Sequence, residues 1–240
     1  MYQPRIYRHL VHSPDLVSYT IVEKETDLFI STTTDLSGAA RELVRRFRKD
    51  LEAYFARVPY FAASLVPVTV ETDAPPIIRE MAEGARQAGV GPMAAVAGAV
   101  AQFVGEGLGK LSPEVIVENG GDIYLRGSQK RTVAIYAGNS HLSGRLGLEV
   151  APAELPLGVC TSSATVGPSF SFGRTDAAVA VARSAALADA AATAIGNAVG
   201  SAEEIGKGLE VAQGIPGLLG TVVIVGDKLG VWGSLKLCPL

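Results

Sequence analysis

Runs rich in β-branched and aromatic residues extend from Leu16 to Val22 and again from Leu28 to Thr32, with the polar Glu23-Lys24-Glu25-Thr26-Asp27 between them. Two such runs predict a pair of strands joined as a hairpin. From Asp35 the period becomes helical. Leu36, Ala40, Leu43, Phe47, Leu51 and Tyr54 fall on one face, Thr34 or Asp35 is the expected cap, and Pro59 closes the run. A second helix is predicted from Pro75-Pro76 to Gly89, with Ile77, Ile78, Met81 and Ala85 inward. A third, almost wholly small and apolar, runs from Pro92 to Val104. Strands follow near 115–118, 123–125, 132–136 and 146–150.

The second part of the chain is patterned in a shorter form. A segment at 158–163 leads to a strand at 177–182, then helices at 185–199 and 203–213, then strands at 221–225 and 230–235 turning at Gly226-Asp227. Each part reads as strands, helices, then strands. The expectation is an α+β protein with helices packed on antiparallel sheet. We read 1–240 as a single domain, with an internal duplication into halves of about 1–150 and 151–240 as a further expectation.

Composition sharpens this picture. The 240 residues are 48% hydrophobic and 19% charged, with a mean hydropathy of +0.28, which describes an ordered chain with ample core material. Only 6% is aromatic, and alanine together with 27 glycines supplies much of the bulk. Small side chains let backbones approach one another or a ligand closely. The stretch from Val90 to Val104 is interrupted by Gly91, Pro92, Gly98 and Gln102, so it is expected as a buried helix and not a membrane span.

Charge and ligand-type residues remove several function classes. Lys and Arg total 21 against 24 Asp and Glu, a net charge of −3, which leaves no basic surplus for nucleic acid. The run Arg45-Arg46-Phe47-Arg48-Lys49 is offset by Glu42, Asp50 and Glu52 and reads as a solvated helix face. Cys160, Cys238, His9, His12 and His141 fit no zinc-ligand spacing. The N-terminal residues resemble neither a signal peptide nor a lipid-attachment sequence, so a cytoplasmic location is expected.

Three stretches carry candidate chemistry. Asn119-Gly120-Gly121-Asp122 has the residues of a tight hairpin turn, and its glycines would also let a ligand approach the backbone. The segment from Gly158 to Ser169 is rich in hydroxyls suited to phosphate oxygens, or is an ordinary polar loop. Within it Cys160 has no neighbouring His in sequence and reads as a small buried thiol. The run Gly105-Glu106-Gly107-Leu108-Gly109-Lys110 is no phosphate-binding Walker loop, because Leu111 stands where a Ser or Thr must be.

The third stretch is the helix at 185–197, in which Asp189, Thr193 and Asn197 are four residues apart and form one polar stripe. An anionic group on so apolar a helix calls for a partner: a hard cation, an Arg such as Arg174 or Arg183, or solvent.

In order and spacing, Asn119-Gly120-Gly121-Asp122, Cys160-Thr161-Ser162-Ser163 and Asp189-Ala190-Ala191-Ala192-Thr193 resemble the ApbE-type flavin transferases. The resemblance spans roughly Val115 to Asn197 and is closest to a shorter branch of that superfamily. It implies a T-fold-like arrangement of duplicated strand–helix–strand units, FAD binding, and Mg²⁺ held partly by Asp189 and Thr193. It also implies nucleotide contacts at Asn119, Gly120, Gly121 and Asp122, and phosphates facing Thr161 and Ser162. Family members move FMN from FAD onto a protein Thr or Ser, so a flavin nucleotide and a protein hydroxyl acceptor are the implied partners. The chain departs from the family in lacking the His-bearing insertion after the Thr-Ser segment. The alternative is a non-catalytic member that binds another nucleotide-like ligand or serves as a homo-oligomeric structural protein.

Overall fold

The computed structural model describes residues 13–165 and 172–240. His9, His12 and the end of the hydroxyl-rich segment at Ser169 lie outside the described residues. The initial hairpin forms as β1 (Val17–Glu23) and β2 (Thr26–Thr32). The capping position of α1 (Ser37–Arg57) is Leu36, which makes no side-chain cap, in place of the expected Thr34 or Asp35; Asp35 Oδ1 instead accepts the Ser37 N–H at 2.8 Å, and the helix buries Ala40, Val44, Leu51 and Tyr54. A short α2 begins at Pro59 (Pro59–Ala63). The helix α3 (Pro76–Ala88) buries the predicted Ile77, Ile78, Met81 and Ala85 and ends at Gly89 with φ 71°. The predicted third helix is preceded by a 3₁₀ turn at Pro92–Ala95, and α4 (Val96–Leu108) continues further than its apolar run.

Eleven strands among the described residues make two sheets. The first has the order β1-β2-β3-β4-β7-β8-β9-β10 and is antiparallel throughout, with β3 (Val115–Asn119), β4 (Asp122–Arg126), β7 (Leu157–Ser162), β8 (Ala177–Ala182), β9 (Leu218–Val225) and β10 (Lys228–Gly233). The second is β11-β6-β5, built from β5 (Arg131–Ala134), β6 (Leu146–Val150) and β11 (Lys236–Pro239). The strand β11 goes beyond the sequence pattern, because its pairing with β6 is a long-range contact.

The large sheet therefore lies between the helices and the small sheet. Strand β8 shows how the two faces are specified: Ala178, Ala180 and Ala182 face the helices, while Ala177, Val179 and Val181 face the small sheet. An all-alanine face lets α5 (Ala185–Asn197) lie low on the sheet, and α6 (Ile205–Gly214) packs beside it. The approach is closest at Gly158, where a Cβ would stand 2.4 Å from Ala185 Cα. No single helix among the described residues is long and apolar enough to cross a membrane.

Candidate functional site

The β3–β4 connection is the tight hairpin that its sequence predicts, with Asn119 opposite Asp122 and the turn made by Gly120 (φ 71°) and Gly121 (φ 106°). Glu118, 2% exposed, closes the turn by accepting the Gly121 N–H on Oε1 at 2.8 Å. Strand β7 lies next to β4, and the Thr161 N–H donates to Asp122 Oδ1 at 3.2 Å. Gly121, Asp122 and Thr161 are thus brought together. Ser162, at the end of β7, points its Oγ toward Gly196 of α5, 3.6 Å from where a Cβ would be.

The polar stripe of α5 faces this end of the sheet. Asp189 Oδ2 accepts the Gly98 N–H of α4 at 2.8 Å, and Asn197 Oδ1 accepts the Phe172 N–H at 2.9 Å. Thr193, between them, is half-buried. The Arg partner considered for Asp189 is not found: the Arg183 guanidinium donates to the carbonyls of Glu154 and Pro156, and Arg174 makes no pair with Asp189. Both arginines lie beyond the ends of α5, whereas Asp189 sits in its second turn. The stripe is half-exposed along its length, at Asp189, Thr193 and Asn197, and at Asp189 a backbone donor from α4 takes one carboxylate oxygen.

Electrostatics single out two carboxylates. Burial pushes the Asp122 carboxyl up to about 7, against the Thr161 N–H and the Cys160 thiol that favour its charge, while Glu118 adds to the rise. Burial followed by the charge of Asp122 pushes Asp189 well above the usual carboxylate range, and the N–H groups of Gly98 and Ala97 oppose this. Asp189 keeps some exposed surface, so the protein packed around its carboxylate, and not complete enclosure, causes the shift. No ion pair among the described residues involves either group. Cys160 is fully buried, its Sγ donates to the Ala185 carbonyl at 3.3 Å, and burial followed by the charge of Asp122 raises its pKa, which leaves it an inert thiol.

Beside the site lies a cavity of 540 Å³, which shares Ala97 and Asn119 with it. Asn119 Nδ2 donates to the Ala97 carbonyl at 3.1 Å, so the hairpin and the start of α4 form one wall. Leu51, Phe55, Met93 and Val100 make an apolar floor, and Lys24 and Arg48 stand at the rim, already paired with Glu52 and Glu25. Sequence reasoning missed this cavity, Gly98 and Glu118. Gly98 reads as one small residue among many, and only its antiparallel neighbour α5 gives its N–H a role.

The family described as AbpE bacteria matches residues 8–209. A UPF0280 protein of Methanocella arvoryzae is 42% identical over 213 residues, covering 88% of this chain and 86% of its own length. A UPF0280 protein of Methanocaldococcus jannaschii is 44% identical over 223 residues, covering 90% of each chain. Among solved structures, the flavin transferase ApbE from Vibrio cholerae superposes with a TM-score of 0.59 at 13% identity, covering 93% of this chain and 97% of that one. The flavinyl transferase ApbE of Pseudomonas stutzeri gives 0.54 at 16% identity over 91% and 94%. At these identities the structures establish a shared fold. With the family match across most of the chain and relatives above 40% identity, the chain belongs to the ApbE-like superfamily, in the branch that holds the UPF0280 proteins.

Proposed function

We propose that this protein binds FAD together with Mg²⁺ where the β3–β4 turn meets α5, and that it transfers FMN to a protein Ser or Thr hydroxyl or cleaves FAD. One observation carries the reading: in a largely buried setting the charge of Asp122 raises the cost of ionising Asp189, and Glu118 raises that of Asp122, with no ion pair to either aspartate among the described residues. Such a pair is stabilised by a cation.

The donor chemistry fits Mg²⁺. Asp189 and Thr193 offer carboxylate and hydroxyl oxygens one turn apart on α5, and no group of three His, Cys, Asp or Glu is assembled among the described residues. A site with few carboxylates that is completed by substrate phosphates suits this ion. When bound, Mg²⁺ supplies positive charge to two adjacent phosphates.

The chain's own residues do the rest. Gly120 and Gly121 keep the turn free of side chains, so that a nucleotide can lie against it, and Thr161 and Ser162 offer hydroxyls to phosphate oxygens. The apolar cavity under Asn119 is within the size range of small-molecule sites and suits a flat ring system. In transfer, the acceptor oxygen bonds to the FMN phosphorus, the bond from that phosphorus to the AMP oxygen breaks, and the acceptor proton passes to a base or to water. A second reading, binding without transfer, draws support from the bonds of Asp122, Thr161 and Asp189, none of which goes to a His among the described residues.

The test is to add FAD to purified protein with and without Mg²⁺ while following flavin fluorescence and AMP release. Flavin binding that depends on Mg²⁺ and is lost in Asp189→Asn supports the reading. Absence of flavin binding in both conditions overturns it, and binding without AMP release selects the second reading.

A further inference from the structure

Helices α4 and α5 pack antiparallel through surfaces made almost wholly of Ala, Gly and Val. Gly98 admits no side chain at its crossing with α5, where a Cβ would stand 2.2 Å from the Ala185 carbonyl oxygen, and the small residues around it leave the rest of the register to polar contacts. Two side chains make the polar contacts across the interface, Asp189 and Gln102, and Gln102 Oε1 also accepts longer bonds from the Ser184 hydroxyl at 3.3 Å and the Ala186 N–H at 3.5 Å. The Gly98 N–H of α4 donates to Asp189 Oδ2 at 2.8 Å, and the Ala185 N–H of α5 donates to Gln102 Oε1 at 2.9 Å.

The two rungs are spaced by one turn on each helix, from Gly98 to Gln102 and from Ala185 to Asp189. Gln102 is 8% exposed, and its Nε2 is held by Glu106 at 3.0 Å, which aims Oε1 at the first turn of α5. There it satisfies an N–H that has no partner within its own helix. Ser184, the cap of α5, donates its hydroxyl to Glu80 of α3 at 2.7 Å and accepts the Leu187 N–H, so Gln102 supplies the acceptor for the neighbouring Ala185.

We propose that Gln102 is a positioning residue: by bonding the Ala185 N–H it sets the register of α5 on α4 and so holds the Asp189 carboxylate against the Gly98 N–H, at the place where the cation is bound. A buried polar side chain in an apolar helix interface is a known way to select one register. The last clause rests on the reading of Asp189 as a cation ligand; the register itself does not.

The test is hydrogen exchange of the Gly98 N–H in the metal-free protein, followed by titration with Mn²⁺ as a paramagnetic substitute for Mg²⁺. The variants are Gln102→Leu, which removes the acceptor, Gln102→Glu combined with Glu106→Gln, which keeps the acceptor and swaps the donor to its neighbour, and Val44→Ala on α1 as a control for lost stability. Gln102→Asn, whose amide is too short to reach, carries the same test if the Leu variant does not fold. The expected result is Gly98 exchange at least about tenfold faster in Gln102→Leu than in Val44→Ala at matched global stability. The double variant Gln102→Glu with Glu106→Gln should restore protection, and Mn²⁺ affinity should fall about tenfold in Gln102→Leu alone. Unchanged Gly98 protection in Gln102→Leu overturns the register role whether or not metal binds. Protection that falls as expected in a wild-type protein that binds no Mn²⁺ leaves the register intact and removes the cation-site role.

Discussion

Gly98 and Asp189, ninety-one positions apart in sequence, meet through a 2.8 Å bond from the backbone N–H of one to the carboxylate of the other. The contact needs glycine on sterics as well as on hydrogen bonding. A Cβ at position 98 would stand 2.2 Å from the Ala185 carbonyl oxygen and 2.8 Å from Asp189 Cβ.

Gly98→Ala should therefore force α4 and α5 apart, at a cost of about 3 kcal/mol or more, the upper range for overpacking a tight core. Gly38, where a Cβ meets nothing within 4 Å, is the internal comparison. Gly38→Ala should be neutral or stabilising by about 0.5 kcal/mol, as expected for Ala in a helix. Urea denaturation of both variants checks the contrast, and equal midpoints would show that the interface has slack.

The raised carboxylates predict an unusual dependence on pH. An acid whose folded pKa lies above its unfolded value costs stability as it ionises. For Asp122 the loss accumulates as pH rises from 3.8 to about 7 and is complete above that. In chelator, Asp122→Asn should be more stable than wild type at about pH 8, by up to about 1.4 kcal/mol for each unit of the shift removed. The difference should vanish toward about pH 4. Thermal melts across this range decide it, and a difference that grows on acidification would reverse the sign argued here.

A network on the far side of the sheet should respond to pH in the opposite direction. Arg131, 8% exposed, pairs with Asp15 at 2.7 Å and with Glu114 at 2.9 Å, and Glu114 also accepts the N–H and hydroxyl of Ser128. Burial opposes ionisation of Glu114, but the Ser128 and Arg131 contacts outweigh it and hold its pKa below the usual value. A lowered acid contributes stability above its unfolded pKa and loses it as pH falls through the folded one. Arg131→Met leaves Glu114 buried without its cation and should cost about 3 kcal/mol near neutral pH, with the deficit shrinking in acid. Melts at neutral and acid pH measure this, and a deficit that does not change with pH would exclude Glu114 as its source.

The cavity beside Asn119 can be tested without touching the carboxylates. Ala97 lines it and is only half-buried, so Ala97→Phe should fill the space with little effect on melting temperature. If the flavin ring lies there, FAD affinity should fall at least about tenfold, a loss of roughly 1.4 kcal/mol or more. Fluorescence titration with FAD is the readout, and an unaltered affinity would place the ring elsewhere.

Most of the fold was legible because its elements are locally consistent. The β-branched and aromatic runs of β1 and β2, the stripe of α1, the Gly120-Gly121 turn and the Gly89 helix end each follow from residues within a few positions of one another. The strand β11 was not legible, since Lys236–Pro239 becomes a strand by pairing with β6 some ninety residues earlier. The candidate site divides in the same way. Asp189, Thr193, Asn119 and Asp122 stand out as polar groups in apolar or glycine-rich surroundings. Glu118, Gly98 and Gln102 do not, because their roles are bonds to neighbours brought up by the fold.

By itself the sequence determined the class of fold, the hairpin turn and the need of Asp189 for a partner, because periodicity, glycine geometry and the cost of an isolated charge act within one segment. Only the tertiary structure decided which partner that is. Electrostatic coupling and axial register depend on distances between segments, and these were set when the alanine faces of β8 and α5 and the glycine at 98 let the backbones close to contact.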